Sequence, residues 1–145
     1  MEVLEPKQRS LLKALKAGDR RAIGRAITLA ETNSTRAGSL FREIQPNTGR
    51  GHIIGVTGPP GSGKSTLIDG LISALRKLSH TVAVIAVDPS SPISGGAILG
   101  DRLRMASHNA DEGVFIRSLS TRGHLGGLTT SVHNVANILE FAGFN

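Results

Sequence analysis

Residue types suited to phosphate binding are concentrated between positions 58 and 66. The eight residues from 58 to 65, GPPGSGKS, match the pattern G-x-x-x-x-G-K-[ST]. The glycines let backbone N–H groups curl around phosphate oxygens, and the prolines stiffen the loop. We therefore predict a phosphate-binding loop, the alternative being a simple Gly/Pro turn. The predicted nucleotide-binding residues are Gly58, Pro59, Pro60, Gly61, Ser62, Gly63, Lys64, Ser65 and Thr66.

Within this loop, two side chains could take part directly in chemistry. Lys64 would place a cation beside the β- and γ-phosphates, which makes it a candidate catalytic residue, and the Ser65 hydroxyl could ligate Mg²⁺. A helix beginning directly after the loop would add the positive end of its dipole to the same site.

Two acidic residues further along the chain are candidates for the same site. Asp88 directly follows the apolar run 81-TVAVIAV-87, and ligands of open α/β sheets bind at the carboxyl ends of strands. Its carboxylate could hold Mg²⁺ or orient an attacking water, and an Asx turn fits the DPSSP sequence equally well. Asp101 could be a helix N-cap or a second metal-associated carboxylate. The five histidines have no close pair spacing and indicate no metal site.

Hydrophobic periodicity predicts the elements that position these residues. Three helices are expected at 7–17, at 19–32 and, more weakly, at 35–45, with Gly18 ending the first and Asp19 capping the second. Strands are expected at 52–57, 81–87 and 114–119. Further helices are expected at 64–78, near 101 and at 129–142, and Leu67, Leu71, Ile72 and Leu75 are expected to face the core from the helix at 64–78.

This alternation of strands and helices predicts an α/β fold of the P-loop NTPase type. Its parallel sheet would be flanked by helices, and the apolar run 81–87 would be a strand covered on both faces. Residues 1–50 would form a helical arm and residues 51–145 the first part of a P-loop domain. Because no strand follows the helix that Gly143 ends, the sheet is expected to be incomplete and the chain to be the N-terminal part of a longer protein.

Composition and charge limit the classes of function. The chain has 145 residues, no cysteine and a net charge of +6. It contains neither an apolar run long enough for a membrane span nor a signal sequence, so we expect a cytoplasmic protein without a membrane partner. Residues 1–50 carry a net +5, which fits a solvated face, an acidic protein partner or nucleic acid. Nucleic acid is disfavoured because no aromatic residues interleave with the basic ones.

Three motifs together, GVTGPPGSGKST, AVIAVDPSSPISGGAILGDRLRM and FIRSLSTRGHLGGL, resemble the MeaB/ArgK family of P-loop GTPases. The similarity extends over about residues 7–145, including AGDRRAIGRAITLAE in the arm. It implies GTP or GDP with Mg²⁺ as cofactors, a homodimer, and a chaperone role for an adenosylcobalamin-dependent acyl-CoA mutase such as methylmalonyl-CoA mutase. It also implies phosphate contacts from residues 58–66, with Ser65, Asp88 and Asp101 around Mg²⁺.

Two motifs of that family are missing from these residues: an acidic T-x-G-x-G-Q-type motif and the guanine-reading N-K-x-D. Three functions therefore stay open on the residues alone. The first is a GTPase that acts as a switch. The second is a P-loop ATPase or small-molecule kinase, in line with the older description of this family as arginine/ornithine transport proteins. The third is a fragment that binds nucleotide without hydrolysing it.

Overall fold

The computed structural model describes residues 5–32, 35–88, 106–120 and 130–145. The chain forms two compact units. One contains residues 1–51 and 129–144, and the other contains residues 52–128 together with Asn145. The predicted short helix near 101 and the Gly-rich loop 121–129 lie outside the described residues. No described helix has the length and apolarity needed to cross a membrane.

The first unit, called the helical unit below, is built from four α-helices. They are α1 (Pro6–Lys16), α2 (Arg20–Thr32), α3 (Thr35–Ile44) and α5 (Thr130–Phe141), with a 3₁₀ turn at Gln45–Asn47. Helix α5 comes from the end of the chain and packs against all three N-terminal helices. The buried side chains are aliphatic, as expected for a chain without Trp or Tyr: Leu15, Ile23, Ile27, Leu40, Ile44, Val135 and Ile138.

The predicted boundary between α1 and α2 is confirmed. Gly18 has a φ of +73°, the left-handed conformation that ends helices and that glycine adopts without strain. The Asp19 carboxylate then accepts a hydrogen bond of 2.7 Å from the Ala22 N–H. Gly143, with a φ of +99°, ends α5 in the same manner. These caps depend on only a few neighbouring residues, which is why the sequence predicts them well.

The second unit combines helix α4 (Lys64–Lys77) with two strands, β1 (Val82–Asp88) and β2 (Val114–Ser120). The strands pair in parallel, and their register runs from Val82 opposite Val114 to Asp88 opposite Ser120. A small core forms where Ile72 of α4 meets Val114, joined by Ile68, Val82, Val84 and Ile116. Residues 81–87 are only half-buried, so the expected cover on both faces of β1 is not seen.

Two sequence-based predictions in this unit are wrong. Residues 52–57 do not form a strand, and Ile53 and Ile54 are 77% and 61% exposed. A strand needs backbone hydrogen bonds from a neighbouring strand, and in the described residues β1 and β2 pair only with each other. Leu67 is 63% exposed because α4 turns Ile68 and Ile72 toward the sheet instead. Periodicity alone assigned Leu67 to the wrong edge of the apolar face.

Candidate phosphate-binding site

The loop from 58 to 63 has a backbone that requires glycine at two positions. Gly61 has a φ of +76° and Gly63 a φ of +87°, conformations that residues with a Cβ adopt only with strain. Gly63 is the N-cap residue of α4, and its carbonyl accepts the N–H of Leu67 at 3.0 Å. Helix α4 therefore begins at Lys64, directly behind the loop. This arrangement turns the first N–H groups of the helix and the positive end of its dipole toward the loop.

Lys64 connects the helix to the start of the loop. Its Nζ atom donates hydrogen bonds of 2.8 Å to the carbonyl oxygens of both Gly58 and Pro59. A Cβ atom on Gly58 would come within 3.2 Å of the Ser62 Oγ, which is tighter than ordinary packing. The Lys64 ammonium group and the first N–H groups of α4 supply the positive charge and the hydrogen-bond donors that a phosphate group needs. The residues present therefore fit a bound phosphate.

The predicted Mg²⁺ ligands are described to different extents. Ser65 lies in the first turn of α4, directly after Lys64, and Asp88 is the last residue of β1. Asp88 thus occupies the carboxyl end of a parallel strand, where its backbone lies opposite Ser120. Asp101 lies outside the described residues. Within the part of the chain that the structure describes, no three His, Cys, Asp or Glu side chains cluster as a metal site would require.

The far end of α4 is fixed by an ion pair that sequence inspection missed. The Arg76 guanidinium binds both oxygens of Asp111, at 2.9 Å and 3.0 Å, and also donates to the His80 carbonyl. Asp111 in turn accepts the Gly113 N–H at 2.8 Å. The hydrogen bonds from Arg76 and Gly113 lower the pKa of Asp111, and the same Arg76–Asp111 bond raises the pKa of Arg76. The pair connects α4 to the turn that starts β2.

Asp69, one turn and a half into α4, makes a second contact with the segment before β2. Its Oδ1 atom accepts a hydrogen bond of 3.1 Å from the Ser107 hydroxyl. The His108 Nε2 lies 2.9 Å from the same oxygen, which makes an ion pair when the ring is protonated. The His108 nitrogen is not aligned for a hydrogen bond there. Ser107 and His108 belong to the 3₁₀ turn Ala106–His108, so this turn is held against the helix that carries Lys64 and Ser65.

Sequence inspection did not single out Arg76, Asp69, His108 or Asp111. The sequence offered only a weak signal for the pair of Arg76 and Asp111. Asp111-Glu112-Gly113 is typical of a turn before an apolar run, but it does not indicate a partner 35 residues away. Long-range ion pairs become visible only when the fold brings both side chains together. The loop residues, by contrast, were found because their spacing is local.

The loop followed by α4, together with the parallel strands, defines the class of P-loop nucleotide-binding proteins. A family model described as methylmalonyl Co-A mutase-associated GTPase MeaB matches residues 23–145. The chain therefore belongs to the MeaB family, and the resemblance seen in its motifs is confirmed.

Relatives support both the family and the fold. A Pyrococcus horikoshii protein whose GTPase name is provisional is 53% identical over 133 residues, covering 92% of this chain and 42% of that protein. The Escherichia coli protein named GTPase ArgK is 39% identical, and the match covers 92% of this chain and 42% of that protein. The crystal structure of a protein named LAO/AO transport system kinase matches with a TM-score of 0.72 and 28% identity, over 99% of this chain and 42% of that one. This match confirms the α/β P-loop fold class. The chain spans less than half the length of these relatives.

Proposed function

We propose that this chain is the phosphate-binding part of a Mg²⁺-dependent, GTP-binding and GTP-hydrolysing protein. The observation that carries the proposal is the glycine loop with left-handed Gly61 and Gly63 directly before α4. Family membership supports guanine nucleotide as the ligand, because the family description and the E. coli relative's name both specify GTPase.

Each predicted site residue has a role in this proposal. Residues Gly58 to Thr66 bind the phosphates through backbone N–H groups. The Lys64 ammonium group gives up its hydrogen bonds to the carbonyls of Gly58 and Pro59 and pairs with phosphate oxygens instead. Ser65, Asp88 and Asp101 would hold Mg²⁺, which would neutralise charge on the phosphates. Asp88 would also orient the attacking water. The charge of the phosphates offsets the loss of the two hydrogen bonds of Lys64.

The biological role that we propose is that of a G-protein chaperone. The partner is an adenosylcobalamin-dependent acyl-CoA mutase such as methylmalonyl-CoA mutase, a proposal supported by the family description. We further propose a homodimer that works in the cytoplasm, without nucleic acid or membrane partners. In this role, binding and hydrolysis of GTP would change the affinity of the protein for the mutase.

Nucleotide titration of the protein extended to the length of its relatives tests the proposal. Affinities for GTP and ATP are measured by calorimetry with Mg²⁺ and with EDTA, and phosphate release is followed with and without methylmalonyl-CoA mutase. We expect GTP to bind at least about tenfold tighter than ATP, binding to weaken in EDTA, and the mutase to change the rate. Tighter binding of ATP and a rate indifferent to the mutase would refute this function.

A small-molecule kinase is the second candidate, favoured by the name of the protein whose crystal structure matches. The same reactions separate it from a GTPase. A kinase would transfer the γ-phosphoryl group to an added amino acid such as arginine or ornithine, whereas a GTPase would release it as inorganic phosphate. A chain that binds nucleotide but yields neither product is a binding module only.

A further inference from the structure

Strand β1 has one edge that no described strand covers. It pairs with β2 on one side, and among the residues that the structure describes no strand lies along its other side. The Val82 N–H donates to the Gly113 carbonyl at 2.9 Å, so Val82 and every second residue after it direct their peptide groups toward β2. Successive residues of a strand direct these groups to opposite edges. The N–H groups of Ala83, Ile85 and Val87 therefore face the uncovered side, which is called the open edge below.

The composition of β1 is typical of a strand with neighbours on both sides. Its residues 82–87, VAVIAV, include no charged residue and no proline. Edge strands in native proteins are usually protected by such residues, because an apolar, unprotected edge pairs with other extended chains. Strand β2 has this protection, since Arg117 lies at its middle. The sequence of β1 thus indicates a strand whose second edge is also paired.

Asn145 occupies the first position along the open edge. Its Oδ1 atom accepts hydrogen bonds from the Thr81 N–H at 3.2 Å and from the Thr81 hydroxyl at 2.9 Å. Thr81 directly precedes Val82, so its N–H points away from β2, as the alternation along the strand requires. Asn145 therefore lies at the amino end of β1. A segment that continues from Asn145 along this edge would run parallel to β1.

We propose that the open edge of β1 binds one further parallel strand of the same protein, supplied by residues that follow Asn145 in a protein of the relatives' length. This chain spans less than half the length of those relatives, so a protein of that length has residues enough for the strand. Its carbonyl oxygens accept the N–H groups of Ala83, Ile85 and Val87. A second copy of this chain fits the edge less well, because the Asn145 side chain already occupies one end of it.

Amide hydrogen exchange, followed by NMR without nucleotide, tests the proposal in this chain and in the protein extended to the length of its relatives. The amides of Val84 and Ala86 bond to β2 and are the internal reference. In this chain, the amides of Ala83, Ile85 and Val87 should exchange at least about a hundredfold faster than the reference. In the longer form, the rates of the two sets should agree within about tenfold, because both edges of β1 are then paired.

Two alanine-to-proline substitutions in β1 form a matched pair. Proline removes an N–H, and a strand tolerates this loss only where the N–H has no partner strand. Ala83→Pro should lower the Tm of this chain by no more than about 3 °C, and that of the longer form by about 8 °C or more. Ala86→Pro removes a bond to β2 and should lower the Tm by about 8 °C or more in both forms.

Measurements on the longer form decide the outcome. The proposal is overturned if the amides of Ala83, Ile85 and Val87 stay unprotected there while the reference amides are protected, or if Ala83→Pro remains as mild there as in this chain. It is also overturned if these amides become protected in this chain as its concentration rises, because a second copy would then cover the edge. No nucleotide is present, so the result is independent of whether the protein binds GTP.

Discussion

At the scale of single residues, Lys64 and Arg76 occupy opposite ends of helix α4 and hold it in different ways. Lys64 bonds to the carbonyls of the loop before the helix, and Arg76 bonds to Asp111 beyond it. In the function that we propose, the first contact is exchanged for phosphate, whereas the second is a bidentate pair within the protein. Substitutions at the two ends should therefore have different consequences, one for nucleotide binding and one for folding.

Lys64→Ala should abolish nucleotide binding, with a loss of affinity of about a hundredfold or more, because it removes the cation next to the phosphates. Calorimetric titration with GTP and Mg²⁺ measures this loss. Lys77→Ala, in the last turn of the same helix, is the matched control and should bind like the parent chain. Unchanged affinity in Lys64→Ala would mean that the loop is only a turn.

Gly113→Ala should lower the Tm by about 2 °C, because a Cβ atom at this position would displace the Arg76 guanidinium from Asp111. Thermal unfolding followed by circular dichroism measures the effect. In an Arg76→Ala background the space is free, so adding Gly113→Ala should cost much less there. Equal costs in the two backgrounds would show that the strain has another origin.

At the scale of elements, the carboxylate of α5 determines where the chain leaves the helical unit. The Glu140 carboxylate accepts hydrogen bonds from the N–H groups of residues 49–51, which lie between the 3₁₀ turn and the segment leading to the glycine loop. Desolvation raises the pKa of Glu140, but the three backbone hydrogen bonds outweigh it and the pKa is lowered below its ordinary value of 4.5. The ionised Glu140 carboxylate thus stabilises the folded chain more than its protonated form does.

Glu140→Gln should therefore lower the free energy of unfolding at neutral pH and make that free energy less dependent on pH. Because the folded-state pKa is depressed, the stabilisation is fully present above pH 4.5 and is lost as the pH falls through the folded-state value. We expect a loss of about 1 kcal/mol at pH 7 that shrinks toward zero in acid. Urea unfolding at several pH values measures it, and a loss that stays constant down to pH 3, within about 0.3 kcal/mol, would contradict this explanation.

At the scale of the whole molecule, the first and last parts of the chain share one core. Val135 and Ile138 of α5 are fully buried, and α5 packs chiefly on α2. The core of the second unit is smaller, with Ile72 and Val114 at its centre. The helical unit is thus completed only when α5 joins the three helices that precede it by about 90 residues, a loop closure that slows folding more than it lowers stability.

Ile138→Ala should destabilise the helical unit by about 2–4 kcal/mol, because it leaves a cavity in a fully buried site. Leu78→Ala is the control: Leu78 is 70% exposed, so its truncation should cost less than about 0.5 kcal/mol. Chemical unfolding monitored by helical circular dichroism gives both values. Similar costs at the two positions would contradict the burial of α5.

The sequence by itself determined the glycine loop, the start of α4 at Lys64, and the caps at Gly18 and Asp19. Each of these depends on residues close together in the chain, where residue type and spacing act directly. The tertiary structure alone decided that residues 52–57 form no strand, that Leu67 faces solvent, and that Arg76 and Glu140 find their partners 35 and about 90 residues away. Periodicity shows that a face is apolar or that a segment favours extended backbone. An apolar face is buried only where distant residues pack on it, and an extended segment becomes a strand only where a neighbouring strand accepts its hydrogen bonds. Both partners exist only after the chain has folded.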